Sequence, residues 1–293
     1  MAPKAAFTLA MAFSAILASA ATIDKRIVKG EDAKDGEIKF IVSVRDENKT
    51  HQCGGSLLDG YTVLTAAHCI HYGPKLVYVT AGTVDSKTGG VEAQVASFKK
   101  HPNYEPSFDD DEYWLENVIS YEENDIAILK LSTPIENSNT IEYATLPPTG
   151  SDAVVNSTAI AAGCRKDADL QDRGAQSPKD IYSEDEYIPA KKLSKVVLPI
   201  HAREDCAQYA GVGDRDTIIC AGGEGKNVCN ADSGGPLFDQ KTGQLLGVVS
   251  WSIMADQQYC NRAPGLFTRV GTYIDFINEN LGPASDHNGD GVR

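Results

Sequence analysis

The 293-residue sequence predicts an all-β fold of two sheets or barrels, with one helix at the C-terminal end. Three observations predict it. Short runs rich in Val, Ile and Tyr recur along the chain, separated by Gly, Asp, Asn and Pro clusters, as strands alternate with turns. No long segment of 3.6-residue period lies between them, which argues against strand–helix–strand units. The final stretch, residues 272–281, places apolar side chains at helical spacing, as a helix docked on the body would. In chain order the runs are residues 40–44, 62–65, 76–80, 126–131 and 245–250. The run 126–131 is almost continuously apolar, the pattern of a buried strand. Residues 103–123 and 165–192 read as long loops, the first strongly acidic (Asp109, Asp110, Asp111, Glu112, Glu116, Glu122, Glu123). Either they are solvated insertions, or they flank a cleft, since rigid scaffolds carry binding loops.

The length suffices for a large buried core. Apolar residues are 42% and charged residues 23%, which excludes collagen-like, coiled-coil and wholly disordered chains. With 27 basic and 41 acidic residues the net charge is −14. Such a chain repels phosphate backbones and anionic membrane surfaces, so neither nucleic acid nor membrane is expected as a partner.

The N-terminus has the layout of a secretory signal peptide over residues 1–20: Lys4, a mostly apolar stretch, then Ala18-Ser19-Ala20 as a small-residue cleavage site. Residues 21–26 form a short propeptide ending in Lys25-Arg26, and cleavage there makes Ile27 the new N-terminus. A secreted, extracellular location fits the seven cysteines, of which an odd one has no intrachain partner. Asn48-Lys49-Thr50 and Asn156-Ser157-Thr158 match the glycosylation acceptor pattern. Residues 282–293 form a polar tail, and its Asp286-His287-Asn288-Gly289-Asp290-Gly291 matches half a calcium loop without the closing glutamate. No metal and no cofactor is expected.

Chemistry concentrates in three motifs. Asp232-Ser233-Gly234-Gly235-Pro236 is a small-residue turn that exposes a hydroxyl and lets a substrate approach. A serine hydroxyl is a poor nucleophile until a base takes its proton. Thr65-Ala66-Ala67-His68-Cys69 offers a histidine at a strand end, and Asn124-Asp125-Ile126-Ala127 offers a carboxylate to orient it and to stabilise its charged form. A lone His or Asp is more often structural; the order His, Asp, Ser with these flanks is specific.

With these motifs, and with Cys53-Gly54-Gly55-Ser56-Leu57, Ser250-Trp251 and Pro264-Gly265-Leu266-Phe267-Thr268-Arg269-Val270, the chain resembles the trypsin/chymotrypsin family of serine proteases from residue 27 to about residue 281. Its signal and processing site are similar to those of fungal members. The resemblance implies two six-stranded antiparallel β-barrels, a C-terminal helix, and a secreted endopeptidase that is a zymogen until cleaved after Arg26 by an activating protease. It implies Ser233 as nucleophile, His68 as general base, Asp125 as its orienter, and the backbone N–H groups of Ala231 and Ser233 as oxyanion donors. It implies a pair between the freed amino group of Ile27 and Asp232, disulfides Cys53–Cys69, Cys206–Cys220 and Cys229–Cys260, and Ser250-Trp251-Ser252 pairing with substrate backbone. Protein or peptide substrates are the implied partners, and nothing demands more than a monomer.

Three positions depart from the family pattern. Ala231 stands where glycine is usual, and its methyl group threatens the oxyanion site. Cys164, the odd cysteine, replaces a tryptophan near that loop. Asn227 occupies the base of the specificity pocket where trypsin-like members carry aspartate, so a buried Lys or Arg would lack a charge partner. Ser252 narrows one pocket wall and Gly265 keeps the other open, which together imply a neutral residue before the scissile bond. The acidic loop 103–123 falls where the family gates the subsites upstream of the cut. The competing reading is a weak or inactive homologue that serves as a binding or inhibitor protein.

Overall fold

The structure is a computed structural model that describes residues 27, 30–71, 75–106, 122–164, 192–210, 215–229, 231–252 and 263–283. The expected signal peptide, the propeptide and Asp109–Asp111 lie outside the described residues, as do Cys260 and most of the two long loops and the tail.

Thirteen strands and short helices make up the described fold: β1 Glu31–Asp32, β2 Ile41–Asp46, β3 His51–Asp59, β4 Thr62–Thr65, α1 His68–His71, β5 Leu76–Ala81, β6 Val91–Lys100 and β7 Ala127–Leu131, followed by β8 Thr158–Gly163, β9 Ser194–His201, α2 Arg203–Ala210, β10 Ile218–Ala221, β11 Pro236–Asp239, β12 Leu245–Ser252 and β13 Gly265–Arg269. A 3-10 turn, Val270–Tyr273, leads into α3, Ile274–Asn278. The expected run 62–65 coincides with β4, and the other four runs differ from their strands by one or two residues at an end.

The first barrel closes in the order β2-β3-β4-β7-β6-β5. The second runs β9-β10-β13-β12-β11-β8 and closes by pairing β8 back onto β9, with β1 added along β9. All pairings are antiparallel, and closure removes the exposed edges that an open sheet would leave. Inward positions alternate with outward ones. In β9, Ser194, Val196, Leu198 and Ile200 are buried while the residues between them are not. Leu57, Val63, Leu64, Val79, Ile128 and Leu129, some inside the first barrel and some on its covered outer face, lie in one core cluster at 0% exposure. Each such side chain contributes roughly 1.5–3 kcal/mol through removal from water. Val270, Tyr273, Ile274, Phe276 and Ile277 join this core, so the end of the chain docks by its apolar face. Gly282 donates to Asp59 and accepts from Lys130, which fixes the start of the expected tail against the first barrel.

Cys53–Cys69 and Cys206–Cys220 are formed as the resemblance implies. Cys229 is also disulfide-bonded. Cys164, just past β8, forms no disulfide and is half-buried beside the Ile38, Ile41 and Phe238 cluster. Asn48 and Asn156 are both exposed.

Candidate active site

The site lies where the two barrels meet. On the first barrel, β4 ends at Thr65, and Ala66 and Ala67 follow at 0% exposure. His68 then opens α1, a single helical turn rather than the expected strand end, and the bridge from Cys69 to Cys53 of β3 pins that turn. Asp125 precedes β7 and is buried. Before it, Asn124 takes a left-handed conformation (φ 52°) and is held by its own side-chain bond to the Asn103 carbonyl (2.7 Å) and by the Tyr273 hydroxyl (3.0 Å).

Asp125 accepts three hydrogen bonds. Its Oδ1 takes the His68 backbone N–H at 2.9 Å, and its Oδ2 takes His68 Nδ1 at 2.7 Å and Ser250 Oγ at 2.6 Å. Its backbone carbonyl accepts the Thr268 hydroxyl at 2.8 Å. Ser250 and Thr268 belong to β12 and β13, so the second barrel grips the aspartate of the first. Burial pushes the Asp125 pKa up, but the His68 charge and the donated hydrogen bonds outweigh it and hold the carboxyl below its ordinary value. For His68, burial alone would lower the pKa; the Asp125 charge and hydrogen bond, with a further push from Glu122, lift it to about 9. An ionised carboxylate only accepts hydrogen bonds, so the proton of neutral His68 sits on Nδ1 and the lone pair of Nε2 is left for chemistry.

Ser233 sits half-buried in a turn tied down on both sides. Asp232 accepts the Cys229 N–H on Oδ2 at 2.8 Å, and Gly235 N–H reaches the Asp232 carbonyl at 2.9 Å. Gly234 N–H donates to Val249 of β12 at 2.8 Å, while Gly54 of β3 donates to the Ser233 carbonyl at 2.8 Å. Gly234 has φ +76°, and a Cβ there would fall 2.2 Å from Thr65 Oγ1 and 3.2 Å from the Ala66 amide. Only glycine permits this approach, and it brings the serine turn against the segment that leads into His68.

The other predicted residues distribute as follows. Ala231 adopts φ 69°, a conformation that glycine takes freely and that costs an alanine about 1–2 kcal/mol. Its carbonyl accepts His51 Nε2 at 3.0 Å, a contact that sequence reasoning missed; His51 Nδ1 is in turn 2.8 Å from Ser43 Oγ. Ile27 and Asp232 are both fully buried, Ile27 within the core of the second barrel. Asn227 is fully buried; its Oδ1 accepts the Val228 N–H at 2.9 Å and its Nδ2 donates to the Ala263 carbonyl at 2.8 Å. A Cβ on Gly265 would stand 2.7 Å from Asn227 Oδ1, so the two residues face each other. Trp251 and Ser252 pair with Leu266 and Gly265 of β13, beyond the reach of β11, whose pairing with β12 ends at Val248.

Glu122 was read from sequence only as one charge of an acidic loop. It is instead buried, with Oε2 3.9 Å from His68 Nδ1 and 2.6 Å from the Tyr104 hydroxyl, which donates to it. Burial, and then the charge of Asp125, raise its pKa to about 7 against the opposing pull of His68 and Tyr104. No sequence signal separated it from its acidic neighbours beyond its place three residues before Asp125. His68, Glu122 and Asp125 offer donor atoms within 4.8 Å of one another, but the short hydrogen bond to Asp125 already engages the histidine nitrogen they share. The second cluster of possible ligands, Cys53, His68 and Cys69, has its sulfurs committed to a disulfide.

The trypsin family model matches residues 27–277. Chymotrypsin-C of Rattus norvegicus is 34% identical over 275 residues, covering 88% of this chain and 90% of the relative. The trypsin Blo t 3 of Blomia tropicalis is 33% identical over 262 residues, covering 86% of this chain and 84% of the relative. Among solved structures, mouse neuropsin, a serine protease, superposes with a TM-score of 0.68 over 87% of this chain and 99% of its own, at 23% identity, a likeness of fold. A double barrel, a serine turn packed against the segment that leads into a histidine–aspartate pair, and relatives of this kind over most of the chain lead to one conclusion: the chain belongs to the trypsin family and is a serine-type endopeptidase.

Proposed function

We propose that peptide-bond hydrolysis proceeds on Ser233, with His68 as general base and Asp125 as its orienter. The observation that carries this reading is the triply bonded Asp125 carboxylate, which grips both the Nδ1 and the backbone N–H of His68. Ser233 Oγ attacks the scissile carbonyl while His68 Nε2 takes its proton. The imidazolium then protonates the leaving amine, an acyl-enzyme remains on Ser233, and water, activated by the same nitrogen, releases the acid. The N–H groups of Ala231 and Ser233 receive the developing oxyanion; loss of one such donor typically costs about 10²–10³ in rate. The substrate adds as a strand along residues 250–252 on the side away from β13.

The protein is secreted and acts on protein substrates after cleavage behind Arg26. The new amino group of Ile27 pairs with Asp232, a buried ammonium beside a buried carboxylate that locks the serine turn. Asn227 at the pocket base carries no charge, and both ends of its amide are engaged by backbone. A neutral residue before the cut is therefore preferred, and the acidic loop 103–123 favours basic residues further upstream. Among the described residues, no helix is long and apolar enough to cross a membrane.

The test is to treat the Arg26-cleaved protein with a fluorophosphonate and map the adduct. Modification of Ser233 that disappears in Ser233→Ala supports the reading; an unmodified protein overturns it. Comparing peptide substrates with Arg, Phe, Leu and Gln before the cut tests the pocket, and a strong Arg preference refutes the role given to Asn227.

A further inference from the structure

We propose that Glu122 is a second carboxylate partner of the His68 imidazole, a positioning residue whose charge stabilises the imidazolium from the same Nδ1 side as Asp125. The inference deepens the reading of His68 as general base and rests on it.

The geometry is specific. Asp125 Oδ2 stands 2.7 Å and Glu122 Oε2 3.9 Å from one nitrogen, and the Glu122 side chain is only 2% exposed. At 3.9 Å the glutamate acts through charge and leaves the Nδ1 hydrogen bond to Asp125. Its position is held: the Tyr104 hydroxyl donates to Oε2 at 2.6 Å, and Glu105 and Glu123 exchange backbone hydrogen bonds at 3.2 and 3.4 Å on either side of the loop. The groups that face the glutamate are Asp125 before β7, His68 on α1 and Tyr104 after β6; Glu123, next in sequence, is paired with Arg215. Two buried carboxylates around one ring repel each other, which favours a proton on the ring or on the glutamate. A pKa near 7 for Glu122 is what such an arrangement produces, so the glutamate is ionised where His68, lifted to about 9, loses its proton.

The consequence has a definite sign. Ionised Glu122 favours imidazolium, which strengthens His68 as a base and raises the pH at which it loses its proton. Removing the charge must move the His68 titration, and with it the acid limb of kcat/KM, to lower pH.

Two measurements test this in the mature, full-length protein. The first is the pH titration of the His68 ring by NMR in a Ser233→Ala background, which needs no turnover. The second is kcat/KM against pH on an uncharged peptide amide in the active background. In Glu122→Gln both midpoints are expected to fall by about one pH unit. Tyr104→Phe, which removes the donor that holds the carboxylate beside His68 and favours its charged form, is expected to move them the same way by less. A His68 titration that stays in place in folded Glu122→Gln overturns the proposal even if stability or kcat drops, because a purely structural role does that. If Glu122→Gln does not fold, an unmoved titration in Tyr104→Phe overturns it. A wild-type protein that hydrolyses no substrate refutes the catalytic reading instead, and the ring titration still decides the role of Glu122.

Discussion

Gly54→Ala tests whether the two halves of the site must approach as closely as they do. A Cβ at residue 54 would lie 2.8 Å from the Gly235 Cα and 3.0 Å from its amide nitrogen, both backbone atoms that cannot rotate away. Ordinary contact begins near 3.4 Å, so the barrels must part locally by about 0.6 Å. The Gly54 N–H that holds the Ser233 carbonyl at 2.8 Å would then stretch beyond normal hydrogen-bond length. Overpacking of this kind costs about 1–3 kcal/mol, and misplacing a nucleophile by up to 1 Å costs about 10²-fold in rate. Steady-state kinetics on a peptide amide, corrected by active-site titration, and thermal unfolding read the two effects separately. Gly243→Ala supplies the contrast: its Cβ meets nothing within 4 Å, but φ is +72°. It should lose about 1–2 kcal/mol of stability with kcat unchanged. A folded Gly54→Ala protein with kcat within threefold of wild type would refute the reasoning.

Ser250→Ala removes one of three donors to the buried Asp125 carboxylate, and kcat should fall about tenfold while the fold persists; an unchanged kcat would show the donor to be idle. Ala231→Gly relieves a left-handed alanine and should gain about 1 kcal/mol, read as a rise in Tm; a fall in Tm would contradict the strain. Stability should decline between pH 6 and 9.5. His68 has a folded pKa raised to about 9, so its contribution is complete below its ordinary value of 6.5 and lost as pH rises through about 9. Glu122, raised to about 7 from 4.5, binds its proton more tightly in the folded state and adds to the same decline between those values. Urea unfolding across this range checks the sign, and a flat or rising profile contradicts it.

Much of the molecule was legible because its signals are local. Val63 and Leu64 between threonines already mark β4, and the apolar run into Leu131 marks β7 as buried on both faces. The serine, histidine and aspartate each sit in a short, distinctive sequence. What escaped depends on contacts between distant segments. His68 starts a helical turn pinned by the Cys69–Cys53 bridge, which no periodicity reports. His51 reaches Ala231 across 180 residues of chain. In sequence Glu122 does not stand out from the other acidic residues of its loop; its burial goes with the Glu105–Glu123 bridge and the Tyr104 hydroxyl, which hold its carboxylate inward.

Asp125→Asn goes most directly to the central idea, that a carboxylate fixes the proton of His68 on Nδ1 and so leaves Nε2 able to act as a base. With the fold intact, kcat/KM of the mature protein at neutral pH should fall by about 10⁴. A folded Asp125→Asn protein that stays within tenfold of wild type would contradict it.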